Sequence, residues 1–285
     1  MSEILEGRSR DFLALTKPRV VLMVLVTTSV GFYLGSERPP DWLRLLPTLF
    51  GTALAAGGTI ALNQFIEREV DARMERTRRR PLPDGRLRPA EALGFGVAIT
   101  VAGLLLLLAV GLLASLVTAA TVGLYLFAYT PLKRKSSLCL IVGAVPGALP
   151  PVIGWVAAHG EFGIGGWALF GILFLWQLPH TLAIARLHQE DYARGGIRLL
   201  PANRAGAEAQ ALAGCLALLI VGLLPTLIGF TGQVYLFGAL TLGAGLLSFG
   251  VLEAIWPSLE AARRLLVASL LYLPALLILM ILDKA

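Results

Sequence analysis

Charged residues are scarce in this sequence, and cysteine and histidine are nearly absent. Asp, Glu, Lys and Arg together make up 15% of the 285 residues, whereas hydrophobic residues make up 56%. The mean hydropathy is +0.77, so the chain carries far more apolar surface than a soluble domain can bury. A water-soluble enzyme is therefore excluded.

The rare cysteines exclude two further classes. Cys139 and Cys215 each lie inside an apolar run, which does not suit a secreted disulfide framework or a zinc site. We expect both to be small core residues. The stretch before Pro18 mixes acidic with basic residues and precedes a long apolar run without a small-residue cleavage site, so it resembles neither a signal peptide nor a transit peptide.

Long charge-free runs set the number of membrane crossings. A helix rises about 1.5 Å per residue and the hydrocarbon core is about 30 Å thick, so about 20 residues make one crossing. Two runs are about twice that length and predict helical hairpins: Ala92 to Leu132, turning near Gly111, and Ala209 to Leu252, broken around Gly229, Gly232 and Gln233. Five runs predict single crossings: Val20 to Gly35, Leu45 to Ile66, Leu138 to Ala157, Ile164 to Ala185 and Leu265 to Leu282. The predicted fold is all-α, a polytopic membrane protein with nine transmembrane helices in a single domain, 1–285.

The basic residues are distributed unevenly between the two sides of such a protein. All but three of the 24 Lys and Arg residues lie in the N-terminal segment or in connections on its side, the exceptions being Arg38, Arg44 and Lys284. The positive-inside rule then predicts a multi-pass protein of the cell (plasma or inner) membrane, with the N-terminus cytoplasmic and the C-terminus outside. The net charge of +6 thus reflects topology rather than nucleic-acid binding. Only two connections are long, the predicted cytoplasmic loops 67–91 and 186–208.

Three oxygen-bearing side chains recur at the end of the second crossing. Asn63, Glu67 and Asp71 are spaced by four residues, which places them on one helix face. We call these three residues the ladder. Their oxygen atoms suit a hard cation such as Mg²⁺, which commonly binds substrate phosphates at the same time. The alternative is a helix that emerges into water and whose acids pair with Arg68 and Arg73.

Basic side chains follow this ladder and recur on the same predicted side. Arg76 and Arg80 belong to a dense cationic loop, and Lys133 and Arg134 follow Tyr129 at the end of the fourth crossing. Guanidinium groups can form paired hydrogen bonds with a phosphate or a carboxylate. The competing interpretation is that these basic residues contact anionic lipid or only determine the topology.

A third polar group ends the sixth crossing. Gln177 and His180 lie three residues apart beside Pro179, and Asp191 follows further along. Buried polar residues at a Pro kink need hydrogen-bond partners. His180 either binds a ligand or is a packing residue whose partners lie within the protein. His159 is most simply a solvated turn residue.

At these residues the sequence resembles the UbiA-type intramembrane prenyltransferases, and within them the branch that farnesylates haem. The motifs are Leu15-Thr16-Lys17-Pro18-Arg19-Val20, Asn63 through Asp71, Met74-Glu75-Arg76-Thr77 with Arg80-Pro81-Leu82, Tyr129-Thr130-Pro131-Leu132-Lys133-Arg134, Trp176-Gln177-Leu178-Pro179-His180, and Asp191-Tyr192 with Leu199-Leu200-Pro201. The ladder is common to the superfamily. Three signatures resemble the haem branch: Lys17-Pro18-Arg19, Arg76-Thr77 with Arg80-Pro81, and Trp176-Gln177 with Pro179-His180. This sequence departs from the family at Glu67 and Glu69, where Asp is usual, and at Arg198, where that branch usually has Pro.

The resemblance implies nine helices around a central cavity that two long cytoplasmic loops cap and that opens sideways to the lipid bilayer. It implies transfer of a farnesyl group from farnesyl diphosphate to a vinyl group of haem B, with addition of water and release of diphosphate. Haem A synthase or oxidase assembly factors are its implied partners.

The resemblance also implies roles for individual residues. Mg²⁺ on the diphosphate would be held by Asn63, Glu67, Asp71 and Asp191, and the leaving charge would be offset by Lys133, Arg134 and Arg80. His180 would orient haem, as an axial ligand or otherwise, or handle a proton. The remaining substrate-binding candidates are Lys17 and Arg19, toward the haem propionates, and Arg76, Tyr129 and Gln177.

Two other functions compete with this interpretation. The same scaffold could prenylate an aromatic quinone precursor, because the metal ladder is shared. A transporter or channel is the other class, but transporters usually place ionisable groups at midplane on broken helices. In this sequence every acid lies at the end of a predicted crossing, which disfavours transport.

Overall fold

A computed structural model of the chain describes residues 2–36, 40–201 and 204–285. Within these ranges nine helices are long and apolar enough to cross a membrane, which confirms the predicted all-α architecture. The helices are α1 (Ser2–Thr16), α2 (Pro18–Gly35), α3 (Trp42–Asp71), α4 (Pro89–Val110), α5 (Leu112–Leu132), α6 (Cys139–His159), α7 (Ile164–Leu187), α8 (Gln189–Arg194), α9 (Ala205–Leu227), α10 (Gln233–Ile255) and α11 (Leu259–Leu282). Arg38 lies outside the described residues.

The predicted crossings correspond to α2–α7 and α9–α11. The first hairpin turns at Gly111, between α4 and α5, and the second is broken between α9 and Gln233. The helix α3 extends further than the charge pattern indicated, to Asp71. Its last turns therefore carry the polar ladder on a rigid helix that continues past the apolar segment.

Small residues allow the central helices to approach closely. A Cβ at Gly31 of α2 would lie 1.9 Å from the carbonyl oxygen of Pro151, and one at Gly154 of α6 would lie 1.9 Å from that of Thr28. Between α3 and α4, a Cβ at Gly103 would lie 2.5 Å from the amide nitrogen of Ala55. Helices in membranes associate through small residues of this kind, and these contacts hold α2 against α6 and α3 against α4.

The outer surface of the bundle is apolar. Large side chains such as Leu43 and Phe127 are 86% and 79% exposed, a pattern that fits contact with lipid rather than water. Cys139 and Cys215 are buried and unbridged, as predicted.

Three connections, two long and one short, lie at one end of the bundle, which we call the loop end (residues 72–88, 133–138 and 188–201). The first connection folds back over α1 and α3, because Leu82 and Leu87 are buried against Leu15 and Ala61. The third packs on the second, where the Arg198 amide donates to the Lys133 carbonyl at 2.7 Å. The loop end thus covers the last turns of α3.

Candidate active site

The polar ladder of α3 lies buried beneath the loop end. Asn63 is 4% exposed and Asp71 2% exposed. Lys133 Nζ lies 2.7 Å from Glu67 Oε1, and Arg80 Nη1 lies 2.6 Å from Asp71 Oδ2. The two carboxylates are therefore each paired with a cation from a different connection.

The alternative pairing with arginines next to the ladder is wrong. Arg68 contacts Glu69, at 3.5 Å, and Arg73 has no ion pair with any described residue. The acids that the sequence placed on one face are turned inward rather than solvated.

A π-helical turn in α5 positions the partners of the ladder. Residues Leu124–Tyr129 form this turn, which ends two residues before Pro131. Proline has no N–H to continue the α-helical hydrogen bonds. Single π-turns inside helices are frequent at functional sites. The Thr130 hydroxyl donates to the Tyr125 carbonyl at 2.8 Å and accepts from Asn63 Nδ2 at 3.0 Å. The amide oxygen of Asn63 is left as an acceptor for a ligand.

Lys133 follows that turn and is fixed from two sides. Its ammonium lies 4.7 Å from the ring centroid of Tyr129 as well as against Glu67, and its side chain is 9% exposed. A cation is thus held at the buried end of α5, facing α3.

Lys17 lies at the break between α1 and α2 and has left-handed backbone torsion, φ 48°. A buried bond fixes this break, since Gln64 Nε2 donates to the Leu15 carbonyl at 2.6 Å. Burial, with the nearby charge of Arg80, lowers the pKa of Lys17 to about 8, partly offset by Asp71. The Lys17 ammonium has no hydrogen bond or ion pair with any described residue, so it is a cation available to a ligand.

Asp191, a predicted metal ligand, is hydrogen-bonded to backbone amides and to an arginine in the structure. Its carboxylate accepts from the amides of Glu75 and Arg76, at 2.8 and 3.3 Å, and from Arg194 at 2.8 Å. Burial alone would raise the pKa of Asp191, but these donors lower it. Asp191 therefore joins the first and third connections of the loop end.

The described residues contain no group of three or more His, Cys, Asp or Glu side chains that could hold a metal ion. A preformed centre of Glu67, Asp71 and Asp191 is therefore not present. The oxygens of Asn63, Glu67 and Asp71 remain a set of hard donors along one helix face, and Mg²⁺ commonly uses one or two carboxylates, waters and substrate phosphates. This smaller set fits the ion.

Three predicted basic residues lie at the surface. The Arg76 guanidinium lies 5.8 Å from the ring centroid of Tyr192. The side chains of Arg134 and Arg19 are exposed and have no hydrogen bond or ion pair with any other part of the chain that the structure describes. The structure does not bring Arg134 or Arg19 to the buried ladder.

Gln177 and His180 face different neighbours. Gln177 Nε2 donates to the carbonyls of Ala144 and Leu173, both at 3.1 Å. His180 instead faces α11, where its Nδ1 lies 2.9 Å from Ser269 Oγ. The two side chains therefore have separate partners, Gln177 on α6 and its own helix and His180 on α11.

An apolar cavity of about 180 Å³ lies between α2, α3, α5 and α6. Its lining includes Ile60, one turn before Asn63, and Tyr125 of the π-helical turn; further lining residues are Val24, Ala56, Pro150 and Ile153. The cavity thus begins next to the ladder and continues into the bundle. An apolar chain attached to an anionic head group matches this arrangement.

Sequence reasoning missed three residues that complete these contacts. Thr130 lies within the motif Tyr129 to Arg134, and its hydroxyl beside Pro131 could have indicated a buried hydrogen bond at this point. Gln64 directly follows Asn63 but lies on another face. Ser269 is the only Ser or Thr in the predicted crossing Leu265 to Leu282, and nothing in its spacing pointed to His180.

The comparison with known proteins identifies the class. The sequence profile of the UbiA prenyltransferase family matches residues 24–279, and the chain belongs to this family of intramembrane prenyltransferases. Over nearly its whole length it is similar to proteins named protoheme IX farnesyltransferase. The one from Solibacter usitatus is 47% identical, over 96% of this chain and 99% of that protein. The one from Salinibacter ruber is 43% identical, over 96% and 98%.

Solved structures share the fold. A structure described as digeranylgeranylglyceryl phosphate synthase superposes with a TM-score of 0.84 at 17% identity, covering 97% of this chain and 98% of that one. A UbiA homologue from Archaeoglobus fulgidus, bound to GPP and Mg²⁺, has a TM-score of 0.68 at 15% identity, covering 95% and 99%. At these identities the likeness concerns the fold.

Proposed function

We propose that the chain transfers the farnesyl group of farnesyl diphosphate to a vinyl group of haem B, making haem O and releasing diphosphate. The observation that carries this proposal is the buried ladder of α3, paired with Lys133 and Arg80 and placed at the start of an apolar cavity. The relatives named protoheme IX farnesyltransferase support the choice of substrates.

The ladder and its cations suit the diphosphate. Asn63, Glu67 and Asp71 would hold Mg²⁺, which when bound offsets the charge of the diphosphate. The archaeal homologue bound to GPP and Mg²⁺ supports this choice of metal. Lys133 and Arg80 are preorganised by their carboxylate partners, so they stabilise the departing charge without reorganising.

Lys17 extends this cationic set. Its ammonium has no described protein partner, and its pKa responds to the nearby charges of Arg80, Asp71 and Lys133, which favours a role at the diphosphate over one at the haem propionates. A doubly charged head group would accept a hydrogen bond from it.

The reaction then balances without a redox step. The bond between C1 of farnesyl and the diphosphate oxygen breaks, and its electron pair leaves with the diphosphate. The vinyl π electrons of haem bond to C1, and water adds to the resulting carbon cation with loss of a proton. The apolar cavity keeps bulk water from the allylic cation, and the ring of Tyr125, which lines the cavity, offers a π face to positive charge.

The loop end would face the cytoplasm, because 12 of the 24 Lys and Arg residues lie in it, and the protein would lie in the cell inner membrane as one domain. Docking of haem A synthase or an oxidase assembly factor stays a prediction from the resemblance.

The test is to incubate the purified protein with haem B, farnesyl diphosphate and Mg²⁺, with and without chelator, and to analyse the products by mass spectrometry. We expect a haem that has gained a hydroxyethylfarnesyl group, only when the metal is present. Transfer to an aromatic quinone precursor instead of haem would overturn the acceptor and retain the diphosphate site.

A further inference from the structure

The cavity beside the ladder is too small for a porphyrin. Its volume is about 180 Å³, whereas sites for ligands of drug size usually measure about 300–1,000 Å³. Haem B also carries two propionate carboxylates, and the proposed function assigns Lys17 to the diphosphate. The partners of the porphyrin body and of its carboxylates therefore have to lie elsewhere in the chain.

A cavity of about 550 Å³ lies in the loop end, between the second connection, the third connection and the end of α7. We call it the basic cavity, because Lys135 and Arg198 line it. The ring of Tyr192 also lines it and offers a flat face to an aromatic ligand. Other apolar lining residues are Ala185, Ile197, Leu199 and Leu200. The volume and the lining suit a flat apolar ligand that carries carboxylates.

The two cations of the basic cavity are available to a ligand. The side chains of Lys135 and Arg198 are exposed, and neither has a hydrogen bond or ion pair within residues 2–36, 40–201 and 204–285. Their connections are joined, since the Arg198 amide donates to the Lys133 carbonyl at 2.7 Å, two residues before Lys135. A neighbouring ammonium and guanidinium can each form a charge-assisted hydrogen bond with one carboxylate.

A second cavity of the loop end, about 480 Å³ in volume, suits an anion less well. It is lined by Arg186, whose Nη1 lies 3.1 Å from Glu208 Oε1 and 3.2 Å from Glu253 Oε1. This guanidinium already has carboxylate partners, and both glutamates line the cavity. A propionate would be repelled by them.

Contacts within the loop end connect the basic cavity to the ladder. Tyr192, which lines the cavity, and Tyr129 pack on the same buried apolar cluster. The Tyr129 ring lies 4.7 Å from the Lys133 ammonium, which pairs with Glu67. The vinyl groups of haem lie on the edge opposite its propionates, so a porphyrin anchored by its carboxylates can direct that edge toward the diphosphate.

We propose that the basic cavity holds the haem acceptor and that Lys135 and Arg198 pair with its two propionates. This inference rests on the proposed function and adds the residues that orient the porphyrin.

The test compares haem B with its dimethyl ester, in which both propionates are uncharged. Each ferric porphyrin is titrated into the purified full-length chain in neutral micelles, without farnesyl diphosphate, and the Soret band gives its Kd. The ratio of the two Kd values measures the preference for charged propionates. We expect this preference to fall about tenfold in Lys135→Gln/Arg198→Gln and about threefold in each single variant. The Kd of the ester should stay unchanged, which shows that the cavity is intact.

The matched control is Arg10→Gln/Arg263→Gln, which removes the same charge from exposed residues outside the basic cavity. It should keep the wild-type preference, and it thereby separates a specific pair from the attraction of a basic surface for any anion. Lys135→Arg retains the charge and should also keep the preference. An unchanged preference in Lys135→Gln/Arg198→Gln, or an equal fall in the control, would overturn the inference.

The product assay separates this inference from the proposed function. A preference that depends on Lys135 and Arg198, without any farnesylated haem, would refute the function and keep the porphyrin site. Farnesylation of haem B and of its ester with equal KM would refute the site and keep the function. Retention of phosphatidylglycerol that is lost in the double variant, with no change in the preference, would assign the two cations to lipid phosphate and overturn the inference.

Discussion

The ion pair of Asp71 with Arg80 predicts an asymmetric response to mutation. Asp71 is 2% exposed, whereas the Arg80 side chain is 20% exposed. Arg80→Gln leaves a buried carboxylate without its cation, which costs about 3–5 kcal/mol. Asp71→Asn leaves a guanidinium that retains some access to water, and we expect a loss of about 1.5 kcal/mol.

The double variant Asp71→Asn/Arg80→Gln removes both charges together. Because the large cost of Arg80→Gln comes from the stranded carboxylate, neutralising Asp71 should recover at least about 2 kcal/mol of it. Transferase activity should stay lost in all three variants, since both groups are proposed to act on the diphosphate. Recovery of stability without recovery of activity would separate the two roles.

The assay is reversible unfolding of the purified variants in mixed micelles, followed by tryptophan fluorescence, alongside product formation from haem and farnesyl diphosphate. Equal losses for Asp71→Asn and Arg80→Gln, or additive losses in the double variant, would refute the reasoning that burial controls this pair.

Three further predictions concern the rest of the site and the bundle. Lys17 is charged below its pKa of about 8, so the KM for farnesyl diphosphate should rise as pH increases from 7 to 9, and Lys17→Arg should abolish that dependence in initial-rate assays. Asp191→Asn weakens the hydrogen bonds that the carboxylate accepts from the backbone amides of the first connection, so it should raise the KM for farnesyl diphosphate about tenfold. The Mg²⁺ concentration for half-saturation should stay unchanged. A shift in that concentration would instead make Asp191 a metal ligand. Gly154→Ala should prevent the contact of α6 with α2 and lower thermal stability, whereas Gly94→Ala, with open space around it, should be neutral or stabilising by about 1 kcal/mol.

The membrane architecture could be predicted because it depends on length and charge alone. Runs without charge had to cross once or twice, and the hairpin turn at Gly111 lies where the length argument required it. The end of α3 was less predictable. Hydropathy ends the crossing at Ile66, whereas the four-residue spacing of Asn63, Glu67 and Asp71 indicated that the helix continues, as α3 does to Asp71.

The candidate site was predicted in its residue types and less well in its pairings. Spacing placed Asn63, Glu67 and Asp71 on one face, but it could not indicate that Lys133 reaches Glu67 through a π-helical turn. It also could not indicate that Asp191 binds amides of another connection. Such contacts depend on how distant loops pack, and a linear pattern contains no information on that packing.

The central claim is that the ladder of α3 holds the diphosphate. The most direct measurement is calorimetric binding of the inert analogue farnesyl thiodiphosphate, with and without Mg²⁺, to the wild type, Asp71→Asn and Glu69→Gln. Glu69 lies on the same helix with its side chain 78% exposed, so its variant is the matched control. We predict metal-dependent binding in the wild type and in Glu69→Gln, and a loss of at least about tenfold in Asp71→Asn. Binding by Asp71→Asn equal to that of the wild type would contradict the account.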